Sequence, residues 1–270
     1  MTITCVGDCG IDHYTTLGLS RPGGITLNFA VHAKSLFSIE DKIQIVSVLG
    51  TGTQSHLIES VIKERGIIPH INKVEGKTPV QNIDLDNNGE KIFTKYDAGI
   101  LENYSITDEQ KQFVEESDFA MTVVFKQIES FFQSVIMLNF KGLVAVDFMD
   151  LADYDKKTDV VKKFIKYFDI AFFGLQKEET ELIKKLQNLA KINKKLFVIT
   201  LGPDGSTAQD QNNLYYQPAV LVEKFKDSTG AGDAFAAAFI KTYLYTKNIE
   251  LSLKEGNNYA ASIIQKVGSF

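Results

Sequence analysis

Strand-length apolar runs alternate with segments of helical period along most of this 270-residue chain, and that alternation limits the fold more than any other feature. Residues 3–6, 43–49, 119–125, 142–148, 170–173 and 196–201 read as strands. Between them, 28–37 places Phe29, Ala33 and Phe37 on one helical face, 56–65 is helical and stops at Gly66, and 178–192 has helical period. Strands separated by helices predict an α/β architecture around a largely parallel sheet.

One region breaks the rhythm. Residues 79–86 and 91–96 are strand-like and are joined by Asn87-Asn88-Gly89-Glu90. Asn-Gly is a hairpin signal, because a tight primed turn needs positive φ. The spacing predicts a small antiparallel sheet projecting from the main body, with the segment from Ile11 to Leu19 able to add strand to it. No low-complexity linker or internal repeat interrupts the chain, so a single domain over 1–270 is expected, with lid segments near 11–20 and 78–97.

A net charge of −5 argues against nucleic-acid or anionic-membrane partners. Two cysteines, Cys5 and Cys9, are too few for a disulfide framework or a four-ligand zinc site. They read as reduced thiols packed like small hydrophobes. No uncharged apolar run approaches membrane-spanning length, and the opening residues lack a signal-peptide pattern. A cytoplasmic protein is expected.

Two glycine-rich turns precede helices. Gly50-Thr-Gly52-Thr-Gln-Ser55 follows a strand and resembles a dinucleotide fingerprint, but its third position is serine and no ribose-binding acid closes the next strand. A plain turn is the better reading, and an oxidoreductase built on it is a minor rival.

The second turn, Asp227-Ser-Thr-Gly230-Ala231-Gly232-Asp233, runs into the alanine-rich segment Ala234-Phe-Ala-Ala-Ala-Phe-Ile240. Gly230 and Gly232 permit successive backbone N–H groups to point one way, forming an anion nest to which a following helix adds its positive dipole end. Asp233 could merely cap that helix. Capping leaves the two glycines unexplained, since each loses conformational entropy on folding. A carboxylate beside a bound phosphate can accept the proton of an attacking hydroxyl while the 230–233 amides stabilise the transferred group. Asp233 is the candidate base, with Gly230, Ala231 and Gly232 as its anion hole.

This turn resembles the C-terminal signature of the ribokinase-like, or PfkB, family of carbohydrate kinases, D-T-x-G-A-G-D. Three further strings fit in order. Gly7-Asp8 with Asp12, and Gly23-Gly24-Ile-Thr-Leu-Asn28-Phe-Ala30, resemble the family's sugar-binding positions. Thr200-Leu-Gly202-Pro-Asp-Gly205 resembles a turn lying along the nucleotide phosphates. The resemblance implies a three-layer α/β/α fold with a largely parallel sheet and a small β-sheet lid that excludes water. It also implies an ATP-dependent phosphotransferase acting on a sugar hydroxyl, with Asp12, Gly23, Gly24 and Asn28 on the sugar. Thr200, Gly202, Gly205, Asn257 and Gly268 would lie around ATP, and such a lid could double as a homodimer interface.

The chain departs from the pattern in two places. Gly50–Ser55 lacks the family's G-x-D-x-x-G, and Phe173-Gly-Leu-Gln-Lys-Glu178-Glu179 keeps acids where an N-x-x-E usually organises Mg2+ but has no asparagine. Glu178 is the candidate for metal-bound water, and Asp227 for a K+-type cation between loops. Several strings, including Lys95-Tyr-Asp-Ala-Gly99 and Ala145-Val-Asp-Phe148, resemble fructoselysine 6-kinase-like members. A ketose or fructosamine therefore ranks first, with ribose and nucleosides open. A non-catalytic sugar- or nucleotide-binding protein on the same fold is the main rival.

Overall fold

The computed structural model describes residues 1–85 and 91–270. In chain order the strands are β1 (Thr2–Val6), β2 (Gly10–Tyr14), β3 (Leu19–Gly23), β4 (Lys42–Gly50), β5 (Ile68–Val74), β6 (Val80–Leu85) and β7 (Lys91–Asp97). They continue with β8 (Phe119–Val123), β9 (Leu143–Asp147), β10 (Ile170–Gly174), β11 (Leu196–Thr200), β12 (Ser206–Gln209) and β13 (Leu214–Gln217). The helices are α1 (Ile25–Leu36), α2 (Ser55–Arg65), α3 (Asp108–Glu115), α4 (Glu129–Ile136), α5 (Asp159–Phe164), α6 (Thr180–Asn193), α7 (Ala231–Thr246) and α8 (Ile249–Ile263).

Nine strands form one sheet in the order β13-β12-β11-β10-β9-β8-β1-β4-β5. Every pairing from β5 to β11 is parallel, and β12 and β13 add an antiparallel edge. The central strands are continuous apolar runs because both of their faces are covered. In β10, Ile170 and Phe172 join the core under α1 and α7, while Ala171 and Phe173 join the opposite core with Phe164, Leu182 and Leu186 of α5 and α6. This is the three-layer α/β/α arrangement expected from the sequence.

A second, four-stranded sheet has the order β3-β2-β6-β7. The antiparallel pair expected over 79–96 is β6 with β7. The Asn88-Gly89 turn lies outside the described residues. β2 runs parallel to β6 and antiparallel to β3, so the segment after Ile11 does supply strand to this sheet.

Two helix starts differ by two or more residues from the sequence expectation. Helix α1 begins at Ile25 rather than at Asn28, because Asp8 from the β1–β2 connection accepts hydrogen bonds at its start. Helix α6 begins at Thr180 rather than Glu178, because Glu179 accepts from the backbone N–H of Gln176 and closes a separate turn. Among the described residues, no helix is long and apolar enough to cross a membrane. Cys5 and Cys9 are buried free thiols.

Helix α7 is in contact with both α1 and α8, and its four alanines from Ala234 to Ala238 are buried. Gly256 of α8 faces Phe235 of α7, and a Cβ there would lie 2.6 Å from a ring carbon. Phe235 is 2% exposed, so its ring has nowhere to go. Gly256→Ala is expected to lower stability by about 1–2 kcal/mol, because overpacking outweighs the roughly 1 kcal/mol gained in helix propensity. Thermal melts check this, and an unchanged or raised Tm would show that the ring yields.

Candidate active site

The strand order reverses between β1 and β8. From β1 the chain moves through β4 to β5 on one side, while β8 to β11 extend the other. Carboxyl ends of strands at such a switch point diverge and leave a crevice. Here a cavity of about 560 Å³ is lined by Asp8 after β1, Phe125 after β8, Phe148 to Tyr154 after β9, and Tyr96 of the second sheet. Asp12, Gly24, Asn28, Gly230 and Asp233, separated by up to 221 positions in sequence numbering, meet on its wall.

The paired glycines have reasons in the protein itself. A Cβ on Gly23 would lie 2.5 Å from the Asp12 carboxyl carbon, so the glycine makes room for Asp12. Gly24 has φ +101° and precedes α1, where a Cβ would lie 2.8 Å from the Asp8 carbonyl oxygen. Asp8 then serves as the cap of α1 from a distance. Its Oδ2 accepts from Ile25 N at 3.2 Å and its Oδ1 from Thr26 N at 3.3 Å. Capping at this position satisfies otherwise unpaired helix N–H groups.

Asp233 does not cap α7: the N-cap residue is Gly230, and among the described residues no side-chain hydrogen bond caps that helix. Its Oδ2 instead accepts from Asn28 Nδ2 at 2.8 Å. Burial raises the Asp233 carboxyl well above the usual carboxylate range, the Asp147 charge pushes it the same way, and the Asn28 bond opposes both. Asp147, at the end of β9, is pushed up to about 6, chiefly by burial, against a hydrogen bond from Met149 N. A basic, buried carboxylate on a cavity wall is what general-base chemistry requires. The amide of Asn28 carries a second signal, since its Oδ1 is buried and has no hydrogen-bond partner among the described residues.

The two glycines of the turn separate into different cases. Gly230 has φ +74°, and a Cβ there would lie 2.7 Å from Ser269 Cβ and 2.8 Å from Ser269 O. The C-terminal segment packed on the turn therefore requires it. Gly232 has helical backbone, is exposed, and a Cβ there would meet nothing within 4 Å. Nothing among the described residues requires glycine at 232. The candidate anion hole is also narrower than the sequence suggests. Ala231 N already donates to Ser228 O at 3.1 Å, which leaves the N–H groups of Gly232 and Asp233 without an acceptor among the described residues.

The remaining sequence-derived candidates lie outside the cavity wall. Thr200 ends β11 and donates to Phe173 O, and Gly202 and Gly205 both have positive φ in the turn that follows. Asn257 of α8 donates to Gln217 O and Pro218 O, tying the helix to the end of β13. Asp227 accepts from Thr229 N at 2.9 Å and Gly268 N at 2.8 Å, bracing the 227–233 turn against the C-terminal segment. Glu178 is exposed in the turn before α6, and Glu179 pairs with Lys156 at 3.2 Å. Among the described residues, no group of three or more His, Cys, Asp or Glu side chains could hold a metal alone.

Sequence reasoning missed Asp8 as the cap of α1 and the charge of Asp147 as a neighbour of Asp233. It also missed the loop after β9, where Met149, Leu151, Asp155 and Lys156 all have positive φ. That loop lines the cavity through Met149 to Tyr154. Four left-handed non-glycine residues in one loop are strained, and strain of this kind concentrates at functional sites.

Comparison with known proteins agrees with this geometry. Residues 150–269 match the model of the pfkB family carbohydrate kinases. Fructosamine kinase FrlD of Bacillus subtilis is 26% identical over 274 residues, covering 100% of this chain and 93% of the relative. Fructoselysine 6-kinase of Escherichia coli is 24% identical over 271 residues, covering 100% of this chain and 99% of the relative. The structure of Arabidopsis thaliana ribokinase complexed with ribose and ATP superposes with a TM-score of 0.82 at 18% identity, covering 99% of this chain and 93% of that one. With its three layers, its switch-point cavity and the Gly230–Asp233 turn inside the matched segment, the chain has the ribokinase fold, and its residues 150–269 are similar to the pfkB family carbohydrate kinases.

Proposed function

We propose that this chain is an ATP-dependent sugar kinase in which Asp233 deprotonates the acceptor hydroxyl. The observation that carries the proposal is the pairing of a basic, buried Asp233 with an uncapped helix N-terminus whose Gly232 has no structural reason to be glycine. In the transfer step, the acceptor hydroxyl gives its proton to Asp233 as its oxygen bonds to the γ-phosphorus of ATP. The bond from that phosphorus to the β–γ bridging oxygen breaks, and ADP leaves. The N–H groups of Gly232 and Asp233 point at charge developing on the equatorial oxygens.

Asp12 and Asn28 hold the acceptor in this reading. A sugar hydroxyl that donates to Asn28 Oδ1 satisfies the buried acceptor left open in the protein. The second sheet acts as the lid, closing over the sugar so that water does not compete as acceptor. Magnesium fits as a partner brought with ATP, since it usually binds through phosphates, waters and one or two carboxylates rather than a protein cage. Glu178 is the proposed carboxylate beside its waters, and the metal would neutralise phosphate charge. For a K+-type cation, the brace from Asp227 to Gly268 marks the proposed loop pair.

The acceptor class we favour is a fructosamine or related ketose, supported by the two relatives aligned over the whole chain. An ADP-release panel with fructoselysine, fructose, ribose and adenosine tests it, with fructoselysine expected to give the highest kcat/KM. Calorimetric binding of a sugar without ADP release would favour a non-catalytic binding protein instead.

The charge of Asp147 gives a pH prediction. It raises the pKa of Asp233, and the base works only when deprotonated, so activity falls as pH drops through the raised value. Asp147→Asn is expected to lower the pKa of Asp233 and move the acid limb of kcat/KM to lower pH. An unmoved limb in the pH-rate profile would remove Asp147 from the account.

A further inference from the structure

The register of the second sheet sets four side chains on one rung. Arg21 of β3 pairs with Asp12 of β2, Asp12 with Gln81 of β6, and Gln81 with Tyr96 of β7. Directly paired residues project from the same face of a sheet. Asp12, Gln81 and Tyr96 all line the 560 Å³ cavity. The rung that carries the proposed sugar carboxylate therefore carries two more polar groups over the same space.

Tyr96 is the telling member. Its hydroxyl is buried and has no hydrogen-bond partner among the described residues. Its ring is fixed edge-on to Phe125 of the main body, with centroids 4.8 Å apart and planes at 89°. Burial, with the nearby Asp8, holds the phenol well above its ordinary pKa, so it is a neutral O–H donor throughout the working range. A buried polar group left unpaired carries the full desolvation penalty, and such a group calls for a partner that the protein alone does not supply. A phenylalanine would give the same ring contact without that penalty.

Gln81 completes the pattern. Its Nε2 donates to Asn82 O at 2.8 Å and to Lys95 O at 3.2 Å, which leaves Oε1 as an acceptor. Along the rung the chemistry is carboxylate, amide oxygen, then phenol O–H. A polyhydroxylated ligand matches that order, with hydroxyl donors toward Asp12 and Gln81 and an oxygen acceptor toward Tyr96.

We infer that Tyr96 is a specificity-determining residue of the acceptor site, donating its hydroxyl to an oxygen of the bound sugar on the rung begun by Asp12 and Gln81. This rests on the kinase reading above for the identity of the site, but it is testable by binding alone. Tyr96→Phe keeps the ring against Phe125 and removes only the oxygen.

The test compares wild type and Tyr96→Phe by thermal shift and kinetics with fructoselysine, fructose and ribose. The variant is expected to melt at the same or a higher temperature without ligand, because an unpaired buried hydroxyl has been removed. Its sugar KM is expected to rise on the order of 10–100-fold with the KM for ATP unchanged, and the sugar-induced thermal shift to shrink accordingly. A lower Tm without ligand would show that the hydroxyl already has a structural partner, and unchanged sugar binding would show that only the ring matters. Either result overturns the inference, as does a wild-type protein whose melting none of the three sugars shifts. Sugar binding that weakens in the variant while wild type releases no ADP would support the rung and defeat the kinase reading instead.

Discussion

Asp233→Asn is expected to lower kcat on the order of 10³-fold while leaving sugar and ATP binding nearly intact. General-base contributions of about 10²–10⁴-fold set the scale. Asparagine keeps the shape and can still accept from Asn28 Nδ2, so the contact that positions residue 233 survives. What it lacks is a lone pair basic enough to take the acceptor proton. Stability should move the other way. Burial and the Asp147 charge raise the Asp233 pKa in the folded state, so the folded protein holds that proton more tightly than the unfolded chain does. Stability is therefore lost as pH rises from the ordinary carboxylate range through the raised value. The variant carries no such loss. Its Tm should equal or exceed that of wild type at neutral pH, with the advantage vanishing in acid. A variant with wild-type kcat would remove Asp233 as the base.

The glycines of the turn give the second large effect, because two apparently similar substitutions should fail for opposite reasons. Gly230→Ala forces a left-handed residue and places Cβ within 2.7–2.9 Å of Ser269 atoms, so the turn and the C-terminal segment must move apart. It should lose both stability and activity, with strain of about 1–2 kcal/mol before the clash is counted. Gly232→Ala meets no atom of the described residues within 4 Å and has ordinary helical backbone. It should raise stability by up to about 1 kcal/mol through helix propensity. Its methyl group would nevertheless stand where the phosphate must approach the backbone, so kcat/KM for ATP is expected to fall at least tenfold, about 1.4 kcal/mol. Gly232→Ala with full activity would show that no anion comes close to that amide.

The contrast shows what was legible in the residues. The 227–233 turn is local, and its loop-to-helix setting could be read from the residues alone. The doubly covered strands were legible for the same reason, since continuous apolar runs such as 196–201 state their burial directly. The hydrogen bond from Asn28 to Asp233 spans 205 positions and depends on how α1 packs against α7. No local pattern encodes it. Gly23 and Gly24 were legible as glycines with a purpose, but the carboxylates they admit, Asp12 and Asp8, come from a neighbouring strand and its approach. The rung joining Asp12 to Tyr96 depends on a parallel pairing of β2 with β6, whose partners lie 69 positions apart. Periodicity gives the faces of each strand but not which strands lie side by side. Helix starts failed where a side chain outside the expected pattern set the local backbone: Asp8 caps α1 from a distance, and Glu179 closes a separate turn ahead of α6.

The most direct test of the central claim is mass-spectrometric detection of a phosphorylated sugar when the protein is incubated with ATP, magnesium and fructoselysine. The account predicts one phosphoryl group on the sugar for each ADP released, with the product nearly absent when Asp233→Asn replaces wild type. Sugar bound without phosphorylation, or equal product from both proteins, would contradict it.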